Sequence, residues 1–339
     1  MIVDLRSDTV TVPTKKMLES MMDSKVGDDV YGEDPTVNLL QAKVASMFGK
    51  DVGMFFPSGT MANQTAIKLH TNPGEQIICD KYSHIYNYEG GGASFNSGVS
   101  FNLIDGDRGM FNSKQAADSI NPKDFYHSPL SSLIAVENTT NKGGGACWDI
   151  NELKKIQKVA KLNELGMHLD GARIWNAMVY KEHNPLDIGG VFDTISVCLS
   201  KGLGCPIGSV LIGDNEIMSN ALRIRKILGG GMRQAGYLAS AGIFALDNNI
   251  NRLSEDHQRA HEIGEVLAKS KYVKSVEKIE TNIVIFELNK EINETSFIDK
   301  LNSLNIKLIS MGSNKLRLVT HINYTNIHHD YFLSSIKSL

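Results

Sequence analysis

Short, nearly unbroken apolar runs alternate with stretches whose apolar residues recur at helical spacing through most of the chain. The runs 53-GMFF-56, 76-QIICD-80, 132-SLIAVENT-139, 166-GMHLD-170, 195-ISVCLS-200 and 209-SVLIGD-214 predict strands. Being apolar on both faces, they suit a largely parallel sheet covered by helices, which is an α/β architecture. The run 209–214 follows a Gly/Pro turn closely and is compatible with an antiparallel neighbour. The spacing predicts a helix over 36–49, ending at Gly49, and another opening at 58-SGTMANQTAIKLH-70. After 234-QAGYLASAGIFALDNN-249 the pattern changes. A long polar helix over 251–270, a strand at 282–289, a helix over 296–305 and a strand at 315–321 predict a small α+β unit. The expected division is therefore a large domain over 1–250, N-terminal segment included, and a small C-terminal domain over 251–339.

Composition narrows the class. The chain has 339 residues, 42% of them hydrophobic and 22% charged, as in ordinary water-soluble proteins. A net charge of −3 gives no electrostatic reason to expect nucleic acid or an anionic membrane as partner. The opening MIVDLRSDTV lacks the pattern of a secretory signal, and no apolar run is long enough to span a bilayer. Cys79, Cys147, Cys198 and Cys205 contain no CxxC pair, so they read as reduced thiols of a cytoplasmic protein, with no metal site expected. Cys205, close to Lys201 in sequence, reads as a small apolar filler.

Ligands of open α/β sheets gather beyond the carboxyl ends of the strands. Beyond 53–56 come Ser58, Gly59 and Thr60, opening a helix, where free amides either cradle a phosphate or are simply capped. Beyond 76–80 comes His84, and at the end of 132–139 stand Asn138 and Thr139, as hydrogen-bonding groups or the start of a turn. Asp170 ends the next run; a buried carboxylate needs a partner, and Arg173 is near. Ser200 and Lys201 end the run after that, although a lysine there is costly unless something uses its charge. Together, a phosphate cup, an aromatic ring, an aspartate and a lysine supply the contacts that pyridoxal 5′-phosphate requires. Lys201 forms the Schiff base, with its pKa expected to be depressed by desolvation and by the cationic ring.

With these residues in this order, the chain resembles the low-specificity L-threonine aldolases of the fold-type I, aspartate aminotransferase-like superfamily. The resemblance runs through 6-RSDTVTVPT-14, 27-GDDVYGEDPTV-37, 58-SGTMAN-63, 84-HIYNYEGGG-92, 137-ENTTNKGGG-145, 168-HLDGAR-173, 200-SKGLGCPIGS-209, 225-RKILGGGMRQAG-236 and 316-LRLVTH-321. It implies a fold-type I large domain with a mainly parallel sheet, and retro-aldol cleavage of β-hydroxy-α-amino acids to glycine and an aldehyde. The alternative is another fold-type I lyase, such as a β-eliminating enzyme.

The resemblance also implies roles. Ser58, Gly59, Thr60 and Ser200 hold the cofactor phosphate, with Lys226 and Arg233 reaching a phosphate in a neighbouring subunit. His84 lies on the cofactor ring, Asp170 pairs with its nitrogen and Lys201 carries it. Ser7, Arg173 and Arg317 grip the substrate carboxylate, a task suited to a planar, permanently charged fork. His84 and His127 face the substrate β-hydroxyl and compete with water as its base. Tyr31 contributes across a dimer interface, within a homotetramer. His168 shares a strand face with Asp170 and reads as its support. The glycine clusters at 90–93, 143–146 and 229–232 do not form the GxGxxG of a dinucleotide site.

Overall fold

A computed structural model describes residues 1–339. After β1 (Val3–Asp4) come β2 (Val52–Phe56), β3 (Gln76–Asp80), β4 (Ser100–Ile104), β5 (Ser131–Glu137), β6 (Gly166–Gly171), β7 (Thr194–Cys198) and β8 (Ser209–Gly213). Then follow β9 (Val273–Val276), β10 (Ile283–Leu288), β11 (Ile306–Lys307), β12 (Ile309–Gly312) and β13 (Lys315–Val319).

Strands β2 to β8 form one sheet in the order β2-β8-β7-β6-β5-β3-β4. Pairings from β4 to β7 are parallel, and β8 runs antiparallel to both its neighbours. The strands β3, β6, β7 and β8 are buried almost throughout, as their apolar runs require. The sheet lies between two groups of helices. On one side packs the helix Gly59–His70; the helices Pro35–Met47, Ile150–Leu162 and Gly236–Asn248 contribute to the main core. The fold is thus the expected α/β fold of type I, with a small antiparallel sheet, β12-β13-β10-β9, toward the C-terminus.

Strand β4 escapes the apolar-run criterion because SFNLI, at the sheet edge, is only half covered. The C-terminal helix Asn326–Ser338 packs with the helix Leu253–Ala268 in a second core. Val3 and Leu5 also belong to this second core, because β1 pairs in parallel with β11 and both side chains fall on its inner face. The first residues thus pack with the C-terminal unit, whereas the expected division placed them with the large domain.

Candidate active site

Because six of the seven sheet strands share one direction, their carboxyl ends lie on a single edge. The helix Gly59–His70 opens there. Ser58 caps it, its Oγ accepting from the Met61 amide at 3.2 Å, and the amides of Gly59 and Thr60 precede the first intrahelical bonds. Gly59 must lack a side chain, since a Cβ there would fall 2.7 Å from Cys198 Sγ. Lys201 lies three residues beyond β7, half-buried, its Nζ donating to the same sulfur at 3.2 Å. Ser200 precedes it in the turn. Burial pushes the Lys201 amine down, and Arg173 acts in the same sense. The charges of Cys198, Asp8 and Asp170 outweigh them, so its pKa is raised. The expected depression counted desolvation and the cationic ring of the cofactor; in the protein alone these neighbouring charges act the other way. Cys205 is not the thiol at the lysine. Its Sγ donates to the Ala241 carbonyl at 3.3 Å, and burial pushes it up to about 12.

Asp170, at the end of β6, is buried and accepts from Asn63 Nδ2 at 3.0 Å and from the Ala172 amide at 3.1 Å. Asn63 Nδ2 also donates to Glu89 Oε1 at 2.9 Å, and Glu89 Oε2 accepts from Gln64 at 2.7 Å. Glu89 Oε1 further pairs with His84 Nδ1 at 3.0 Å, and one ligand atom each of His84, Glu89 and Asp170 lie within 4.8 Å of one another. Burial works against charge on His84, but the Glu89 hydrogen bond and the charges of Asp170, Glu89 and Glu137 prevail, raising its pKa. Glu137 ends β5 in register with Asp170 and accepts from the amides of His84 and Asn141, each at 2.6 Å. Burial and the neighbouring Asp170 charge push its carboxyl up to about 7.

A cationic group faces this acidic one. Arg173 is buried and makes a two-pronged bond to Asp8, Nε to Oδ2 at 2.8 Å and Nη2 to Oδ1 at 2.7 Å. Arg173 thus pairs with Asp8, the partner that sequence spacing had sought in Asp170, and only its Nη1 edge remains for a substrate. Burial disfavours a charged Asp8, yet Arg173 and Lys201, with a hydrogen bond from Asn282, lower its pKa to about 2. Arg317, on β13, donates from Nη1 to Asn141 Oδ1 at 2.8 Å and from Nη2 to the Arg6 carbonyl at 3.2 Å. Ser7 lies in sequence between Arg6, whose carbonyl accepts from Arg317, and Asp8, which pairs with Arg173. The pKa of Arg317 is lowered, by burial first and then by the Arg173 charge. Two guanidiniums thus share one nearby carboxylate, Asp8, leaving a positive charge suited to a carboxylate ligand.

The remaining candidates are elsewhere. His127 precedes β5 by four residues and is exposed, its ring 4.0 Å from that of Tyr126. It lies at the amino end of a strand whose carboxyl end bears Glu137, roughly 20 Å of strand away. The structure does not bring His127 to the site of its own chain, so substrate contact through it requires a second copy. Tyr31, Lys226 and Arg233 are also exposed. Lys226 lines a surface pocket with the apolar Leu222 and Ile227, and Arg233 pairs with Asp28 at 3.0 Å. Sequence reading passed over Asp8, Asn63, Glu89, Glu137, Asn141 and Cys198 as site residues. Glu137 carries the signal used for Asp170, an acid ending an apolar run.

The arrangement fits pyridoxal 5′-phosphate. Asp170 keeps acceptor capacity beyond its two donors, Lys201 offers an amine, and the helix start offers amides. Beside Asp170, whose carbonyl accepts from the Asn138 amide at 2.9 Å, the buried Asn138 side chain leaves both Nδ2 and Oδ1 without partners. Such orphaned groups call for a polar ligand.

Comparison with known proteins agrees. Residues 4–291 match the β-eliminating lyase family. The low specificity L-threonine aldolase of Escherichia coli K12 is 40% identical over 323 residues, 95% of this chain and 94% of that one. Low-specificity L-threonine aldolase 1 of Arabidopsis thaliana is 36% identical over 338 residues, 98% and 94% of the two chains. The solved threonine aldolase of Leishmania major shares the fold, with a TM-score of 0.85 over 99% of each chain at 20% identity. Alignments this long, at such identity, show the family: the chain belongs to the β-eliminating lyase family and, within it, to the low-specificity L-threonine aldolases.

Proposed function

We propose that this chain is a pyridoxal 5′-phosphate-dependent aldehyde-lyase that cleaves L-threonine and L-allo-threonine, with related β-hydroxy-α-amino acids, to glycine and an aldehyde. The observation that carries the reading is the convergence of Lys201, Asp170 and His84 on one sheet edge, beside the open helix start at Gly59 and Thr60. When bound, the cofactor supplies an electron-withdrawing ring for the bond broken at the substrate Cα. Lys201 would attach it, and Ser58, Gly59, Thr60 and Ser200 would hold its phosphate. Asp170 would support positive charge on the ring nitrogen, and His84 would stand beside the ring.

The substrate carboxylate docks where Arg317 and the free edge of Arg173 present unbalanced charge, with Ser7 as a third contact. Holding that carboxylate orients the Cα–Cβ bond relative to the cofactor. His84 is the base at the β-hydroxyl. With Nδ1–H donated to Glu89, its Nε2 lone pair is free to take the proton. Tyr31, Lys226 and Arg233 complete the site of a second copy within a homotetramer, and the working compartment is the reducing cytoplasm.

The test is aldehyde release by the purified, cofactor-loaded protein from L-threonine, L-allo-threonine and L-phenylserine. Release is expected from at least one of the three, and Lys201→Ala should abolish both release and the visible absorbance of attached cofactor. No aldehyde from any of the three overturns the reading. Pyruvate and ammonia in its place would make the chain a β-eliminating lyase.

A further inference from the structure

Asp170 is the last member of a buried chain of hydrogen bonds that begins on the other side of its sheet register, at His70. His70 Nε2 lies 2.9 Å from Thr194 Oγ1, which lies 2.9 Å from His168 Nδ1. His168 Nε2 lies 3.2 Å from Asn63 Oδ1, and Asn63 Nδ2 donates to Asp170 at 3.0 Å. The sequence spacings make this chain possible. Asn63 and His70 are seven apart on one helix and share its sheet-facing side. His168 and Asp170 are two apart on β6, and their register partners on β7 are Thr194 and Ser196. Ser196 Oγ donates to Asn63 Oδ1 at 2.6 Å.

The direction of every bond follows from the chemistry. Asn63 turns one end toward two carboxylates, Asp170 and Glu89, so that end is the amide nitrogen and the opposite end is the oxygen. His168 must therefore donate from Nε2. Burial lowers the His168 pKa to about 3, with the nearby His70 acting in the same sense, and lowers that of His70 to about 4 despite Asp193. Both rings are thus neutral, and each has one donor. With Nε2 donating, His168 Nδ1 accepts, so Thr194 gives it its hydroxyl proton and accepts in turn from His70 Nε2–H. Each donor points toward Asp170, and a chain of aligned bonds polarises along its length.

We propose that His70, Thr194, His168 and Asn63 form an oriented relay that holds the Asp170 carboxylate aimed at the cofactor's ring nitrogen, making Asn63 and His168 positioning residues. The inference rests on the reading of Asp170 given under Proposed function. The other charged groups around Asp170 do not substitute for the relay. Glu137 on β5 and Glu89 are carboxylates and donate nothing to it, while His84, Lys201 and Arg173 are engaged by Glu89, Cys198 and Asp8 respectively. Only Asn63 and the Ala172 amide donate hydrogen bonds to it.

The test uses the apoprotein reconstituted with pyridoxal 5′-phosphate isotopically labelled at the ring nitrogen, read by nuclear magnetic resonance, with cofactor affinity measured alongside. Asn63→Ala should move the nitrogen signal toward the unprotonated position and weaken cofactor binding roughly tenfold, the scale of a lost hydrogen bond to a charged group. Thr194→Val, which breaks the relay two bonds away and keeps the volume, should move the signal the same way and weaken binding about two- to threefold, the scale of a neutral hydrogen bond. If Asn63→Ala does not fold, Thr194→Val decides alone. Asp170→Ala serves as the reference: if it leaves the signal unmoved, the reading of Asp170 itself falls, and the relay with it. If Asp170→Ala moves the signal while the folded relay variants match wild type in both signal and affinity, the relay falls and the proposed function stands. In the apoprotein, a labelled His168 that carries its proton on Nδ1 also overturns the inference.

Discussion

The acidic and cationic halves of the site are built differently, and they answer pH in opposite directions. Glu89, Glu137 and Asp170 all come from the large sheet and the loop after β3, and their donors Asn63, Gln64 and the amides of His84 and Asn141 come from the same unit. Burial, and then the neighbouring Asp170 charge, drives Glu137 up to about 7. The cationic half joins Asp8 of the N-terminal segment, Arg173 of the large sheet and Arg317 of β13, and its single carboxylate is lowered to about 2. One half is a set of carboxylates short of cations; the other is a pair of guanidiniums short of anions. Under the proposed function, a substrate amino acid with its cofactor would supply both deficits.

The largest effect should come from breaking the cationic half at Asp8. The residue is fully buried, and removing it strands Arg173 beside Arg317 without a counter-charge. Asp8→Ala should lose about 3–5 kcal/mol of stability in urea denaturation. Asp8→Ala/Arg173→Met should regain most of that, because the stranded charge is gone. A single variant as stable as wild type would show that the pair contributes nothing net. The Asp8 pKa is depressed, so its stabilising effect is complete above the unfolded carboxylate value of 3.8 and is lost as pH falls toward about 2. Over that window the wild-type apoprotein should lose roughly 2 kcal/mol that Asp8→Asn does not lose. Parallel stability curves would contradict the assignment.

The acidic half gives a pH dependence of opposite sign. Glu137 has its folded pKa raised from 4.5 to about 7, so the folded state holds the extra proton and stability falls as pH rises between those values. In Glu137→Gln that slope should flatten, as followed by thermal unfolding of the apoprotein across the same interval. An unchanged slope would place the proton elsewhere.

How legible each half was in the sequence follows from the same contrast. The strands behind the acidic half were visible because apolar runs such as Gln76–Asp80 report burial on both faces directly. Asp170 and Lys201 stood out as polar residues ending such runs, and Glu137 ends one equally well. Asn63 and Glu89 sat inside stretches already singled out, but their partners depend on strand order, which periodicity does not encode. Asp8 was harder still, because its partner Arg173 is 165 positions away and belongs to a different element. His127 is the converse case. Resemblance carried it into the site, while the direction of β5 leaves it at the far end of its own chain. Local pattern predicts elements and strand-end chemistry; pairings across elements require the fold.

The smallest and most specific effect tests the link between the acidic half and the proposed base. Glu89 accepts from His84 Nδ1 and is one of the groups that raise the His84 pKa, together with the charges of Asp170 and Glu137. A base must be unprotonated to act, so kcat/KM should rise with pH through the His84 titration and reach a plateau above it. Glu89→Gln keeps a hydrogen-bonding oxygen but removes a negative charge, making the imidazolium less stable. The acid limb should therefore move to lower pH, by about half to one unit, with the plateau less affected than the limb. His84→Asn should remove that limb altogether. A limb that stays in place in Glu89→Gln and survives in His84→Asn would assign the proton transfer to another group, and would separate the carboxylate cluster's electrostatic work at Asp170 from any role at the substrate hydroxyl.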